Sequence, residues 1–286
     1  MATARDLQRQ INTVKNQSRV FSALQTVSSV KFRKAEARVK KARPYADNVE
    51  EMMRDVAGSA SGDLPLLVGR EVNRVAVCTL TADRGLAGGF NAQVLRRTVS
   101  LRNEKDQNAL QVASGRKAVA FFRFRRVELA EVFTGFTDNP TYEKAREIGS
   151  TLTNLFEDAE ADEVYLVYNR FESALNQTPV VKRLLPVAEE GDEDEDDGAS
   201  YMEYVPDAET LLKRLVPRYV ETMVWQALLE GAAGEHGARM TAMKNATDNA
   251  NDLVRDLTLQ MNKARQAQIT QEILEIVGGA EALSAG

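Results

Sequence analysis

Asp83 and Arg84 stand at the head of a glycine-rich turn, Thr81-Ala82-Asp83-Arg84-Gly85-Leu86-Ala87-Gly88-Gly89-Phe90, which follows an apolar run and precedes a helical pattern. A turn in that setting can cradle a phosphate on backbone N–H groups at a helix start. The glycine spacing is not G-x-G-x-x-G, however, and no G-K-[ST] follows, so a tight packing turn at a sheet edge is the weightier reading. An acid beside an arginine is also a candidate catalytic pair. No second cluster converges on it, which favours a structural ion pair. His236 is the only histidine and Cys78 the only cysteine. They exclude a histidine-based metal site, a histidine-dependent triad, a disulfide framework and a thiol-rich metal site. His236 reads as a packed, hydrogen-bonded residue of a helical seam, Cys78 as inert core. No catalytic residue, metal or cofactor is expected.

Charge supplies the other candidates. The net charge of −5 hides a run, Glu189 to Asp197, with eight acids in nine residues. It reads as a solvated loop without the glycine and spacing of a calcium site. Lys31 to Arg43 holds seven basic residues against Glu36 alone. Nucleic acid is the obvious partner for such a collar, but aromatic interleaving is absent and the chain as a whole is acidic. Acidic loops of a protein partner fit it better; a solvated helix face is the simpler alternative.

The elements that carry these residues are of two kinds. Counting sevens from Leu7 gives Val14, Phe21, Ser28, Ala35, Ala42, Val49 and Val56, and from Ile11 gives Ser18, Gln25, Phe32, Val39, Ala46 and Met53. Near the other end, sevens from Leu229 give His236, Met243, Ala250, Leu257 and Ala264, and from Ala233 give Met240, Thr247, Val254, Met261 and Gln268. Both are a/d seams at a period of 3.5, and each needs a partner to bury its stripe. The spacing therefore predicts an antiparallel two-stranded coiled coil of residues 2–57 with residues 207–277. Pro44 is an irregularity in the first helix; Pro217 predicts a kink or break in the second, and Gly231, Gly234 and Gly237 weaken it. The second helix is the longer, so its last turns should project alone, with Ile269, Ile273, Leu274, Ile276 and Val277 on a broad apolar face that wants a hydrophobic socket.

Between the helices the pattern changes. Gly58 to Pro65 reads as a linker. Strands are expected at 72–80, 109–113, 127–133, 163–170 and 178–187, and helices at 91–103, 115–124 and 142–158. Alternating strand and helix predicts a mostly parallel sheet. The fold class is thus α/β plus long helices: a coiled coil with an inserted Rossmann-like α/β domain. The divisions run 1–57 for the first helix, 70–188 for the α/β domain, 189–200 for the acidic loop and 207–286 for the second helix. No apolar run approaches a membrane span. No signal or transit pattern precedes the heptads, which points to a bacterial-type cytoplasmic protein or a mature organellar one.

The chain resembles the gamma subunit of F-type ATP synthases. The resemblance rests on Met243 to Ala250, on Asn262 to Ala267, and above all on Ile269-Thr270-Gln271-Glu272 through Glu275, Gly279 and Ala280, which fill the family's C-terminal signature without a gap. The turn from Asp83 to Asn91 and the helix around Val27 to Lys34 resemble it too. Departures are Ala87, where the family often has Cys, Leu24, where a Met is common, and the acidic stretch. The cysteine-bearing regulatory insert of the chloroplast form is absent, so thiol control is not expected.

The resemblance implies a central-stalk rotor with no catalytic residues of its own. It would transmit torque between the proton-driven c ring and the alpha/beta catalytic hexamer, with the epsilon subunit at its foot. It would be peripheral to the cytoplasmic face of a bacterial plasma membrane. The resemblance further implies that Arg239, Arg265, Gln266, Thr270 and Glu272 touch the hexamer's loops, and that the collar, with Lys31, Arg33 and Lys34, faces acidic loops of the beta subunits. Two other classes stand beside it: a coiled-coil tether or assembly protein without rotary coupling, and a nucleotide-binding enzyme built on the α/β domain.

Overall fold

The structure is a computed structural model that describes residues 3–58, 70–105, 109–187 and 208–284. The expected linker beyond Gly58, the acidic run and the segment Tyr201 to Val205 lie outside the described residues. In chain order the elements are α1 (Ala4–Gly58), β1 (Val75–Leu80), α2 (Phe90–Glu104), β2 (Ala109–Ser114), α3 (Arg116–Phe124), β3 (Leu129–Phe133), α4 (Tyr142–Glu157), β4 (Glu163–Phe171), β5 (Gln177–Leu185) and α5 (Ala208–Ser284).

Two compact units share the chain. One, residues 28–239, contains the five-stranded sheet in the order β3-β2-β1-β4-β5. The first four strands are parallel, with Val75 beside both Ala109 and Glu163, and β5 returns antiparallel along β4. β1 is buried along its whole length because both sheet faces are covered. On one face Val75 and Val77 pack with Val94 and Leu101 of α2. On the other, Ala76, Cys78 and Leu80 meet Ile148, Leu152 and Phe156 of α4, together with Val216, Val220 and Val224 of α5 and Ala46 and Met53 of α1. The alternation of β1 is therefore a division of one strand between two cores. α4 forms because Ala145, Ile148, Leu152 and Phe156 recur at helical spacing, and Thr141 caps it by accepting from the Lys144 N–H. Ile148, Leu152 and Phe156 are fully buried, each worth about 1.5–3 kcal/mol of transfer free energy.

Within this unit the inner lengths of α1 and α5 run antiparallel. Arg43 pairs with Glu230, Phe32 closes on Gly237, and Ala35 and Val39 pack with Leu229 and Ala233. The other unit holds residues 1–27 and 240–286. There Leu7, Ile11, Met243 and Ala250 are buried, and the Ser18 hydroxyl donates to Asn251 Oδ1 at 3.1 Å. Along both helices the predicted seam positions whose side chains are described are buried or half-buried through Ala264, whereas Lys244, Asn245, Asp248, Asp252, Arg255 and Asp256 are exposed. From Arg265 to Ala280 every residue of α5 is exposed.

Three expectations are corrected. α5 continues through Pro217 without the expected break, while Pro44 lies inside α1 as the irregularity read from the sequence. Val216, Tyr219 and Val220 around Pro217 are buried in the main core, and that packing outweighs the lost N–H donor. Gly234 and Gly237 do not weaken α5 so much as let it approach. A Cβ at 234 would lie 2.9 Å from Phe90 Cε2, and one at 237 would lie 3.1 Å from Ala174 Cα. The turn after β1, finally, is not at a sheet edge, because β1 is the central strand.

Candidate functional site

The strand order reverses beside β1, so the crevice over the C-terminal ends of β1 and β4 is where an open α/β sheet would take a ligand. Here α5 occupies it. Ala238 packs on Ala82, Ala87 and Phe90, Gly234 lies against Phe90, and the Arg239 Nε–H donates to the Gly85 carbonyl at 3.2 Å. Asn169 Nδ2 donates to the Phe90 carbonyl at 2.9 Å and ties β4 to the same turn. A nucleotide would have to displace this helix.

The Asp83 carboxylate does not pair with Arg84. It accepts from the N–H groups of Arg116, Gly135 and Thr137 and from the Thr137 hydroxyl at 2.9–3.1 Å. Burial works to raise its pKa, but these donors outweigh burial and hold it below the usual carboxylate range. Asp83 thus ties the loops after β2 and β3 to the central strand. Gly115, at the start of α3, has φ +91, and a Cβ there would sit 2.1 Å from the Thr81 carbonyl oxygen. The turn is packing machinery throughout.

His236 lies on the seam in sequence but faces Asp138, with Nε2 3.3 Å from the Asp138 carbonyl and 3.6 Å from Oδ1. Burial lowers its pKa, so the neutral ring is the folded form. Glu235 beside it is 1 % exposed and pairs with Arg239; burial raises its pKa against the pull of that guanidinium. Lys31 of the collar pairs with Asp138 as well. Cys78 is buried, its thiol pushed up to about 12, which keeps it a protonated core residue.

The expected contact residues divide sharply. Arg239 is 8 % exposed and engaged by Glu235 and Gly85, so it is internal to the fold rather than a surface group. Lys31 is half-buried on Asp138. Within the collar Arg38 also turns inward, donating to Asn139 Oδ1 and the Pro140 carbonyl, as does Arg43, which donates to the Phe171 carbonyl and pairs with Glu230. Arg33 and Lys34 are exposed. Arg265, Gln266, Thr270 and Glu272 are all exposed on the last turns of α5, beside Ile269, Ile273, Leu274, Ile276 and Val277 at 48–71 % exposure. That length of helix presents both polar and apolar side chains to the outside. Sequence reasoning missed the inward role of Asp138 and its neighbours Asn139 and Pro140, since nothing in their spacing marks a loop that gathers collar cations.

Long paired helices, an α/β unit whose ligand crevice is filled by its own helix, and an exposed helix end from Arg265 to Ala280 define an interaction protein. The ATP synthase family model matches residues 3–283. The ATP synthase gamma chain of Rubrobacter xylanophilus is 67% identical over 290 residues, covering 100% of both chains. That of Desulfitobacterium hafniense is 46% identical, covering 99% of this chain and 100% of its own. Among solved structures, a chain of the Euglena gracilis mitochondrial ATP synthase (OSCP/F1/c-ring) superposes with a TM-score of 0.71 at 17% identity, over 99% of this chain and 95% of that one, and shows the same fold. The chain belongs to the ATP synthase gamma-chain family: a non-catalytic subunit with the central-stalk rotor role of that complex. No helix among the described residues is long and apolar enough to cross a membrane.

Proposed function

We propose that this chain turns between a proton-driven c ring and an alpha/beta catalytic hexamer, with an epsilon subunit beside its α/β unit, on the cytoplasmic face of a bacterial plasma membrane. The observation that carries this reading is the last length of α5. Residues 265–280 are exposed, and they combine the apolar group Ile269, Ile273, Leu274, Ile276 and Val277 with the polar group Arg265, Gln266, Thr270 and Glu272. An apolar helix surface of that extent calls for a sleeve in a partner. The polar residues on the same turns give that sleeve something to distinguish as the helix rotates. Arg33 and Lys34, the exposed cations of the collar, are the proposed contacts for acidic loops of the beta subunits.

Such a shaft does no bond chemistry. It biases each catalytic subunit by contacting one of its conformations better than another. Reversing a 1:99 population takes about 5.5 kcal/mol of differential contact, which a surface of several side chains supplies and no single hydrogen bond does. Reconstitution with purified alpha and beta subunits tests the reading. The expected product is an ATP-hydrolysing complex with one copy of this chain on the pseudo-threefold axis. Competent alpha and beta subunits that assemble without it would instead favour a tether outside the rotor.

A further inference from the structure

His236 is buried where several elements converge within the unit of residues 28–239. α5 carries it together with Glu235 and Arg239, and α1 brings Lys31. The loop after β3 brings Asp138, and the turn after β1 brings Gly85.

These neighbours fix which ring nitrogen carries the proton. Nε2 lies 3.3 Å from the Asp138 carbonyl, which only accepts, so Nε2 is the protonated nitrogen. Nδ1 lies 3.4 Å from Arg239 Nη1, which only donates, so Nδ1 holds a lone pair. The neutral ring with its proton on Nε2 satisfies both. A second proton must go to Nδ1, where it meets a guanidinium donor. That contact is then lost, and two cations stand side by side. On the other edge of the ring, Asp138 Oδ1 is buried with no hydrogen-bond partner among the described residues, 3.6 Å from Nε2. It is an acceptor placed for a charged ring.

Arg239 connects the ring to another element. Its pair with Glu235 is internal to α5 and moves with the helix. Its Nε–H bond to the Gly85 carbonyl, at 3.2 Å, joins α5 to the turn after β1. Repelled by a protonated ring, the guanidinium can keep Glu235 and give up Gly85. We propose that His236 is a proton-sensitive clasp. Neutral, it holds Arg239 on Gly85 and pins α5 to the turn after β1; protonated, it turns to Asp138 and releases Arg239. The packing of Ala238 on Ala82, Ala87 and Phe90 does not depend on the ring, so the opening is local. Asp138 favours the second proton, and Arg239 and Lys31 oppose it. Glu235 and Asp83 stand behind Arg239, and Arg84 behind Asp138. The closed clasp binds the proton less readily than the open one. Opening therefore grows as pH falls below the ordinary histidine value of 6.5, by up to about ten-fold per pH unit, the limit for one proton.

The test is magnetic resonance of the full chain carrying isotopically labelled histidine and arginine. The single histidine gives one pair of ring signals. At pH 8 Nε2 should be protonated and Nδ1 bare; the opposite tautomer would overturn the clasp. From pH 7 to pH 5, protection of the Arg239 Nε–H against solvent exchange, corrected for its intrinsic pH dependence, should fall in step with ring protonation. The fall should be insensitive to low urea, because local opening exposes little surface. A urea dependence matching that of the Val77 and Val167 amides in the sheet would mean global unfolding, and the proposal would fail. H236Q keeps a neutral acceptor beside Arg239 and should lose the pH dependence; a fall that persists in it would make Glu235 the titrating group and defeat the clasp. D138N removes the waiting acceptor and should move ring protonation to lower pH, whereas an unchanged titration would rule out its part. The tautomer and the urea dependence are read on the unaltered chain, so they decide even where a variant does not fold.

Discussion

Position 115 has no room for a side chain. With φ at +91 and the Thr81 carbonyl where a Cβ would go, Gly115→Ala combines backbone strain with a clash and should cost about 3 kcal/mol or more. Gly231 is the internal control: it is helical with open space around it, and Gly231→Ala should stabilise by about 1 kcal/mol. Urea unfolding of the full chain reads both. The Glu235–Arg239 pair makes a different prediction. Arg239→Ala strands a carboxylate that is 1 % exposed and should cost about 3 kcal/mol. Losing the cation leaves burial and the negative charges of Asp138 and Asp83 acting on Glu235, so its folded pKa rises further. Stability retained by protonating it in the fold is then present at low pH and lost as pH rises through that pKa. The deficit of the variant should accordingly be smaller at pH 5 than at pH 8, and a deficit independent of pH would count against a buried carboxylate. His236 has the opposite sign. Its folded pKa lies below the ordinary 6.5, so wild-type stability is full above that value and declines as pH falls below it, where the unfolded chain binds the proton more readily. Asp138, Lys31 and Arg239 are the charges that face it. His236→Gln should flatten that decline in the same unfolding curves.

At the scale of elements, the two long helices serve different ends along their lengths. The inner half of α5 is a wall of the α/β core, with Val216, Val220, Met223 and Val224 buried. The last turns, from Arg265 to Ala280, are exposed. Removing residues 270–286 should therefore shift the thermal midpoint by no more than one or two degrees, because almost no apolar area returns to water. The same truncation should weaken coupled ATP hydrolysis in the reconstituted hexamer. A large loss of thermal stability would show that these turns are structural rather than reserved for a partner. The filled crevice belongs to this scale too. The α/β unit keeps a doubly wound strand order, yet Gly234 and Ala238 press α5 onto Phe90 where a ligand would lie.

For the whole molecule, coupling is a sum over a surface. Thr270→Ala removes one hydroxyl from a helix face on which about 5.5 kcal/mol of differential contact is spread. Steady-state ATP synthesis in reconstituted vesicles should fall by less than ten-fold. Abolition by that single change, with assembly intact, would point to a discrete latch instead of a distributed contact.

The sequence by itself determined the elements and the seam. Heptads at Leu7, Ile11, Leu229 and Ala233 are read from neighbours three and four residues away, and burial follows them through Ala264 because a helix stripe must be covered by something. The strand–helix alternation and the C-terminal motif were legible for the same reason: each is a local pattern. Only the tertiary structure decided what those patterns touch. His236 left the coiled-coil account for Asp138, Arg239 moved from surface contact to buried ion pair, and Asp83 exchanged Arg84 for three backbone amides and a hydroxyl. Each of these partners is more than thirty residues away, or, for Arg239, depends on which side of α5 the sheet covers. A heptad count specifies a stripe but not the second surface that closes over it, and the energy of a buried charge depends on that second surface.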